Sequence, residues 1–86
     1  MSHDESHAMT TREKIVHMAN QIATSFENMP RDSAAAGVAG HINDFWDPRM
    51  RRQLFEILQE GGAGLKPLVI EAAPKIRDPA PVSSAS

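Results

Sequence analysis

Apolar residues recur every three or four positions in the first third of the chain, which is the spacing of one face of an α-helix. They are Ile15, Met18, Ala19, Ile22 and Phe26. Just before them, Thr10 and Glu13 stand three positions apart, as in a capping box, where a hydroxyl and a carboxylate bond to free backbone amides. The pattern predicts a helix that begins at Thr10 or Thr11 and ends near Asn28 and Pro30.

A second apolar stripe follows, between positions 35 and 46. Its members are Ala35, Val38, Ala39, Ile42, Phe45 and Trp46. Asp32 or Ser33 is expected to cap the start of this helix. Gly37 and Gly40 fall on the opposite face at about 100° per residue, and each costs about 1 kcal/mol relative to alanine inside a helix. Either these glycines let a partner backbone come close, or the helix is short and frayed at its start.

The segment Phe45–Arg52 contains the only tryptophan and a proline that must interrupt a helix. Pro48 disfavours helical geometry at the residue before it, but it suits the first position of a new helix. We therefore predict that one helix ends near Trp46, that Asp47 caps the next, and that Trp46 lies in the elbow between them. The third helix runs to about Glu60. Its inner stripe is Met50, Leu54, Ile57 and Leu58.

Glycines at positions 61, 62 and 64 are expected to end the third helix. Lys66 follows this run, but a phosphate-binding loop needs the lysine directly after a glycine, then Ser or Thr, and a strand before the loop. A glycine C-cap with Leu65 packed back is the better interpretation. A fourth helix opens at Pro67 and is interrupted by Pro74. Its inward residues are Leu68, Val69 and Ala72.

No segment alternates apolar and polar residues as a strand does. The predicted fold is all-α, a small bundle of three to four short helices over residues 10–76, with disordered tails at 1–9 and 77–86. A domain of roughly 60 residues buries only about 60% of its unfolded-chain surface. The chain has no cysteine for a disulfide, so we expect extra stability to come from self-association or from a protein partner.

Composition narrows the classes of function. The formal net charge is −2, with 23% charged residues, which argues against a general nucleic-acid-binding protein. No apolar run approaches the roughly 18 residues that cross a bilayer, and the polar N-terminus is unlike a signal peptide. The expected location is the cytoplasm.

Residues suited to catalysis are scarce. Cysteine and tyrosine are absent. His17 and His41 lie on different predicted helices, off the apolar stripes and without a carboxylate at a convincing spacing. His3 and His7 stand in a flexible tail, which cannot form a preorganised metal site. We expect no catalytic, cofactor-binding or metal-binding residue in this chain.

Arginines are concentrated at the start of the third helix, at Arg49, Arg51 and Arg52. Cations are unfavourable there, because the N-terminal end of a helix carries partial positive charge. With Phe55 beside them they suggest a docking surface for an acidic partner, since arginine and aromatic residues are enriched at binding hot spots. The alternative is a solvated face in which Arg52 pairs with Glu56. The tight turn before them also resembles a helix-turn-helix in outline, as in a nucleic-acid-binding regulator.

Three segments, in their order along the chain, resemble a known family. They are MANQI at Met18–Ile22, FWDPRMR at Phe45–Arg51 and GGAGLKPLV at Gly61–Val69. The resemblance is to the delta subunit of bacterial NAD-dependent formate dehydrogenases of the soluble molybdenum or tungsten type. It extends over about residues 14–72. Pro74 and the Pro-Ala-Ser tail depart from the helical ending expected of that family, which leaves the length of the last helix open.

The resemblance implies a small accessory subunit of a cytoplasmic complex that oxidises formate to carbon dioxide and reduces NAD. In that family an alpha subunit holds the molybdopterin cofactor and iron–sulfur clusters. Beta and gamma subunits hold FMN, further clusters and the NAD site. The delta subunit would carry no cofactor, and would stabilise the complex by docking on the alpha subunit. Alternatively, it would be a maturation factor for molybdenum-cofactor insertion.

The residues expected at the partner contact lie off the apolar stripes or at the elbow. They are Asn20, Gly37, Gly40, Trp46, Arg49, Arg51, Arg52 and Phe55. Trp46 is expected to anchor the core and to reach the partner only by its edge. Charge reversal at Arg51 and Arg52 is expected to leave the isolated fold intact and to weaken binding to the large subunit.

Overall fold

The computed structural model describes residues 10–77, and all its regular structure is helical in that range. The elements are α1 at Thr11–Phe26, α2 at Arg31–Phe45, α3 at Pro48–Gln59, α4 at Pro67–Ala72 and a 3₁₀ helix at Ala73–Lys75. The predicted all-α class is confirmed. Of the tails expected at 1–9 and 77–86, all residues except Arg77 lie outside the described range.

Helix α1 begins with the predicted capping box. The amide of Glu13 donates to Thr10 Oγ1 at 3.0 Å, and the amide of Thr10 donates to Glu13 Oε1 at 2.9 Å. The two hydrogen bonds satisfy amides that the helix itself leaves free. The predicted start of the helix is therefore confirmed at the level of individual atoms.

The predicted cap of α2 was wrong. The helix begins at Arg31, with Pro30 in the capping position, and no side chain caps it. Pro30 is extended (φ −55°, ψ 146°), and its carbonyl accepts from the amide of Ala34 at 2.8 Å. Asp32 and Ser33 therefore lie inside the first turn, where a carboxylate still complements the helix dipole.

The elbow between α2 and α3 forms as predicted, with one exception. The chain leaves helical geometry at Trp46 (φ −91°, ψ 138°), and the amide of Met50 donates to Asp47 Oδ1 at 2.9 Å. Trp46 is only 6% exposed, whereas Phe45 is 73% exposed. The prediction that Phe45 faces inward was wrong, because the change of direction at Trp46 carries the indole into the core instead.

The glycine-rich turn after α3 is a Schellman motif, which confirms the predicted C-cap. The amide of Gly62 donates to Ile57 O at 2.8 Å, and that of Gly61 to Leu58 O at 3.1 Å. Gly61 and Gly62 have φ of 113° and 69°, in the left-handed region that glycine favours. Leu65 packs back into the core, as expected.

The core lies where α1, α2 and α4 meet, and α3 closes it from the side of α1. Its fully buried members are mainly aliphatic. Those with the largest side chains are Val38, Ile42, Leu54, Leu68 and Val69. Among the described residues no polar or charged side chain is buried. After α4 the chain continues into the 3₁₀ helix that contains Pro74, whose missing amide cannot donate a further α-helical hydrogen bond. Ile76 is buried beyond it.

Candidate partner-binding surface

Asn20, expected to face a partner, is engaged by the fold itself. Its Nδ2 donates to Gly64 O at 2.9 Å, and its Oδ1 accepts from the amide of Lys66 at 2.8 Å. The side chain thus holds the loop between α3 and α4 against α1. Contact of Asn20 with a partner stays a prediction, but its amide atoms already have protein partners.

The two glycines of α2 have different surroundings. A Cβ added to Gly37 would lie 2.5 Å from Cε1 and 2.6 Å from Cδ1 of Phe26, closer than real Cβ atoms come to other atoms. Nothing lies within 4 Å of a Cβ added to Gly40. One of the two interpretations offered by the sequence left the space over Gly37 to a partner backbone, but Phe26 of the same chain occupies it. Only Gly40 leaves an open surface.

Trp46 anchors the core, as predicted, and part of its indole lines a shallow groove between α1 and α2. The groove has a volume of about 280 Å³. Its lining residues are Met18, Gln21, Ile22, Ser25, His41 and Trp46. The ring of Phe45 lies beside it, with its centroid 4.7 Å from that of His41 and the ring planes tilted by 38°. Exposed aromatic surface therefore continues outward from the groove.

The three arginines of α3 do not form one surface. Arg51 is partly buried, and its Nη1 donates to Arg77 O at 3.0 Å. Arg49 and Arg52 are exposed, and neither makes an ion pair within residues 10–77. The alternative pair between Arg52 and Glu56 is thus absent from the described structure. Phe55, expected at the docking surface, is partly buried against the core.

Asn43 holds residues 75–77 in the way that Asn20 holds the loop. Its Nδ2 donates to Lys75 O at 3.1 Å, and its Oδ1 accepts from the amide of Arg77 at 2.8 Å. The Arg77 guanidinium returns a bond to Asn43 O at 3.2 Å. Asn43 therefore fixes Arg77, which the sequence assigned to the tail, against α2. Nothing in the local sequence around Asn43 signals this contact.

The described residues hold no group of three or more His, Asp or Glu side chains placed to bind a metal ion. The groups whose pKa is shifted form one exposed ion pair, in which Arg31 Nε donates to Glu71 Oε1 at 2.8 Å. This hydrogen bond lowers the pKa of Glu71 and raises that of Arg31. The shifts come from a pair that links α2 to α4.

Within residues 10–77, no helix combines the length and the apolarity that crossing a membrane requires.

The comparison with protein families decides the identity. The family model described as the NADH-dependent formate dehydrogenase delta subunit FdsD matches residues 14–73. The chain belongs to this family. The match covers more than two thirds of the 86 residues. It begins in the first turn of α1 and ends in the 3₁₀ helix, so the family sequence and the helical body coincide.

The family assignment confirms the resemblance seen in the three sequence segments. A delta subunit of a formate dehydrogenase has other subunits as partners. Searches of curated proteins and of solved structures gave no match. The matched range includes the contact of Asn20 with its loop, the elbow at Trp46 and the groove beside it, so these features belong to the family region. It also includes Asn43, but the partners of Asn43 at Lys75 and Arg77 lie beyond it.

Proposed function

We propose that this chain is a non-catalytic accessory subunit that docks on the large, molybdopterin-containing subunit of a cytoplasmic NAD-dependent formate dehydrogenase and stabilises the complex. The observation that carries the proposal is the match to the delta-subunit family over the helical body. The alpha subunit would supply the molybdopterin and iron–sulfur clusters. Beta and gamma subunits would supply FMN, further clusters and the NAD site.

The chemistry of the chain supports an accessory role. His17 and His41 are exposed on different helices, and His41 packs against the ring of Phe45. Cysteine, the usual ligand of iron–sulfur clusters, is absent from the whole sequence. The polar side chains with the most contacts, Asn20 and Asn43, hold backbone segments of the fold in place. The conversion of formate is therefore assigned to the partner subunits.

The surface supports docking. Phe45 is the most exposed of the large apolar residues in the described part of the chain, at 73%. Arg49 and Arg52 on α3 are also exposed and make no ion pair within residues 10–77. Binding to a partner would also stabilise a small domain, because a ligand that binds only the folded state shifts the folding equilibrium towards that state.

The test compares the enzyme complex purified from cells with and without this chain. In an accessory role, the chain is present in one-to-one ratio with the large subunit. The complex lacking it retains its molybdenum but loses activity faster on heating, and adding the purified chain restores its lifetime. Mass spectrometry, metal analysis and thermal inactivation give the three measurements.

The same experiment separates the alternatives. A trace amount of the chain in the mature complex, together with molybdenum-deficient enzyme in its absence, would replace the structural role with a maturation role. Failure of the chain to associate with the enzyme at all would refute the proposal. DNA binding that weakens steeply with salt would then support the nucleic-acid-binding regulator instead.

A further inference from the structure

Helix α3 makes its main contact with α1. The residues that face α1 include Gln53 and Glu60, which line a shallow pocket together with side chains of α1. At about 100° per residue, Arg51, Phe55 and Leu58 lie roughly opposite Gln53 and Glu60, on the face that is turned away from α1. Each of these three residues is only partly buried, so this face of α3 leaves apolar surface open to an occupant.

Contacts at the two ends of this face show which elements it borders. At one end, Arg51 Nη1 donates to Arg77 O at 3.0 Å. At the other end, a Cβ added to Gly62 would lie 3.5 Å from Ile70 Cδ1 and 3.8 Å from Leu58 Cδ2, so Leu58 and Ile70 flank the same point. Ile70 is 45% exposed. We call this surface the α3 strip, and its members are Arg51, Phe55, Leu58 and Ile70.

The sequence that follows Arg77 matches the α3 strip in order. It reads Asp-Pro-Ala-Pro-Val at positions 78–82, which is one carboxylate followed by four apolar residues. Arg51 Nε is buried and has no hydrogen-bond partner within residues 10–77. The carboxylate of Asp78 belongs to the residue after the carbonyl that Arg51 already binds, and a guanidinium forms strong, charge-assisted hydrogen bonds to carboxylates. The unpaired donor and the acidic residue therefore stand at the same end of the strip.

The length of this segment also suits the strip. The prolines at positions 79 and 81 favour the extended polyproline conformation, in which five residues span about 15 Å. Arg51 and Leu58 are seven positions apart, which is about 10 Å along the helix axis, and Ile70 lies beside Leu58. Val82 can therefore reach Ile70 while the residue after Arg77 stays beside Arg51.

We propose that residues 78–82 dock along the α3 strip of the same chain. The Asp78 carboxylate accepts from Arg51, and the four apolar residues after it cover the apolar part of the strip. Extended proline-containing segments suit this role, because their conformation is already restricted before they bind. The attachment at Arg77 gives the segment a high effective concentration at the strip. Phe55, which the sequence assigned to the partner contact, is then covered in the isolated chain.

The test measures paramagnetic relaxation by NMR in the full-length chain. Because the chain has no cysteine, Ser84→Cys provides a single attachment point for a nitroxide label. With the segment docked, the amide signals of Gly62 and Ile70 lose most of their intensity, whereas that of Gln21 in the groove between α1 and α2 keeps much more. Broadening that is confined to the residues next to Arg77 would overturn the inference.

Variants with matched controls assign the contacts. Asp78→Asn removes the carboxylate and Val82→Ser removes the last apolar contact, so each is expected to restore intensity to the Ile70 amide of the labelled chain. Asp4→Asn and Ala85→Ser make similar changes outside the segment and are expected to leave the broadening as it is. Equal effects of the segment variants and the controls would contradict the assigned contacts. Circular dichroism checks that every variant keeps its helical content.

Mixing separates docking within one chain from docking between chains. Chain that carries the nitroxide but no isotope label is mixed with isotope-labelled chain that carries no nitroxide. Broadening of Gly62 and Ile70 in this mixture would show that the strip binds a second copy, and the inference would fail. Broadening that is limited to chains carrying both labels and is unchanged on dilution supports it. No partner subunit is present, so this inference goes beyond the proposed accessory role and is tested separately from it.

Discussion

The ring of Phe26 lies against the Cα of Gly37, so close that a Cβ there would be 2.5 Å from Cε1. Phe26 ends α1 and Gly37 lies in the second turn of α2. Because Gly37 has no side chain, the ring of Phe26 at the end of α1 can pack directly against the backbone of α2. The helix-propensity cost of this glycine is offset by packing within the chain.

Gly37→Ala and Gly40→Ala are expected to change the free energy of unfolding by different amounts. Both substitutions gain helix propensity, about 1 kcal/mol. Only the first places a methyl group against Phe26, and overpacking of this kind costs about 1–3 kcal/mol. Urea denaturation should show Gly40→Ala more stable than wild type, and Gly37→Ala less stable than Gly40→Ala by that overpacking cost. Equal stability of the two variants would contradict the packing role of Gly37.

Asn20→Ala is expected to destabilise the fold, because it removes two hydrogen bonds to the loop that carries Gly64 and Lys66. Each such bond contributes roughly 0.5–1.5 kcal/mol, so the loss is about 1–3 kcal/mol. The control is Asn28→Ala, an exposed asparagine in the turn after α1. Thermal unfolding followed by circular dichroism measures both variants. A loss no larger than that of the control would exclude a structural role for Asn20.

Arg51→Glu and Arg52→Glu are expected to differ in stability, contrary to the expectation from sequence that both leave the fold intact. Arg51 is partly buried and donates to Arg77 O at 3.0 Å, whereas Arg52 is exposed. A carboxylate at position 51 would face that carbonyl oxygen and repel it. Hydrogen exchange at the amides of Ile76 and Arg77 should accelerate in Arg51→Glu and stay at the wild-type rate in Arg52→Glu.

The pair between Arg31 and Glu71 predicts a pH dependence with a definite sign. The hydrogen bond from Arg31 lowers the pKa of Glu71 in the folded state, so the contribution of the pair to stability is present above the ordinary carboxyl pKa. It is lost as the pH falls through the lowered value. NMR titration should show the pKa of Glu71 rising towards its ordinary value in Arg31→Gln. An unchanged pKa would show that the pair does not form in solution.

Local chemistry explains which parts of the fold were predictable. The capping box at Thr10 and Glu13, the Asp47 cap before Pro48 and the glycine turn after α3 all join residues within a few positions of each other. Such interactions form wherever the segment is placed, so the sequence specifies them directly. The cap of α2 was missed because Pro30, which has no side-chain acceptor, occupies the capping position, so Asp32 and Ser33 already lie inside the helix.

The candidate surface was less predictable, since adjacent aromatic residues compete for the core. Phe45 and Trp46 are neighbours, and successive residues of a helix point about 100° apart, so only one of them can be centred on the apolar stripe. That competition is a signal in the sequence, but which residue is buried depends on where α2 ends and on what packs there. The structure buries Trp46 and exposes Phe45.

By itself, the sequence determined the helical class, the positions where most helices begin and end, and membership in the delta-subunit family, because these depend on near neighbours and on short ordered segments. Only the tertiary structure decided the roles of Asn20, Gly37 and Arg51. Each of them contacts a residue from another element of the chain, such as Gly64 for Asn20 and Arg77 for Arg51. Contacts between distant positions follow from how the helices pack, which no local pattern specifies.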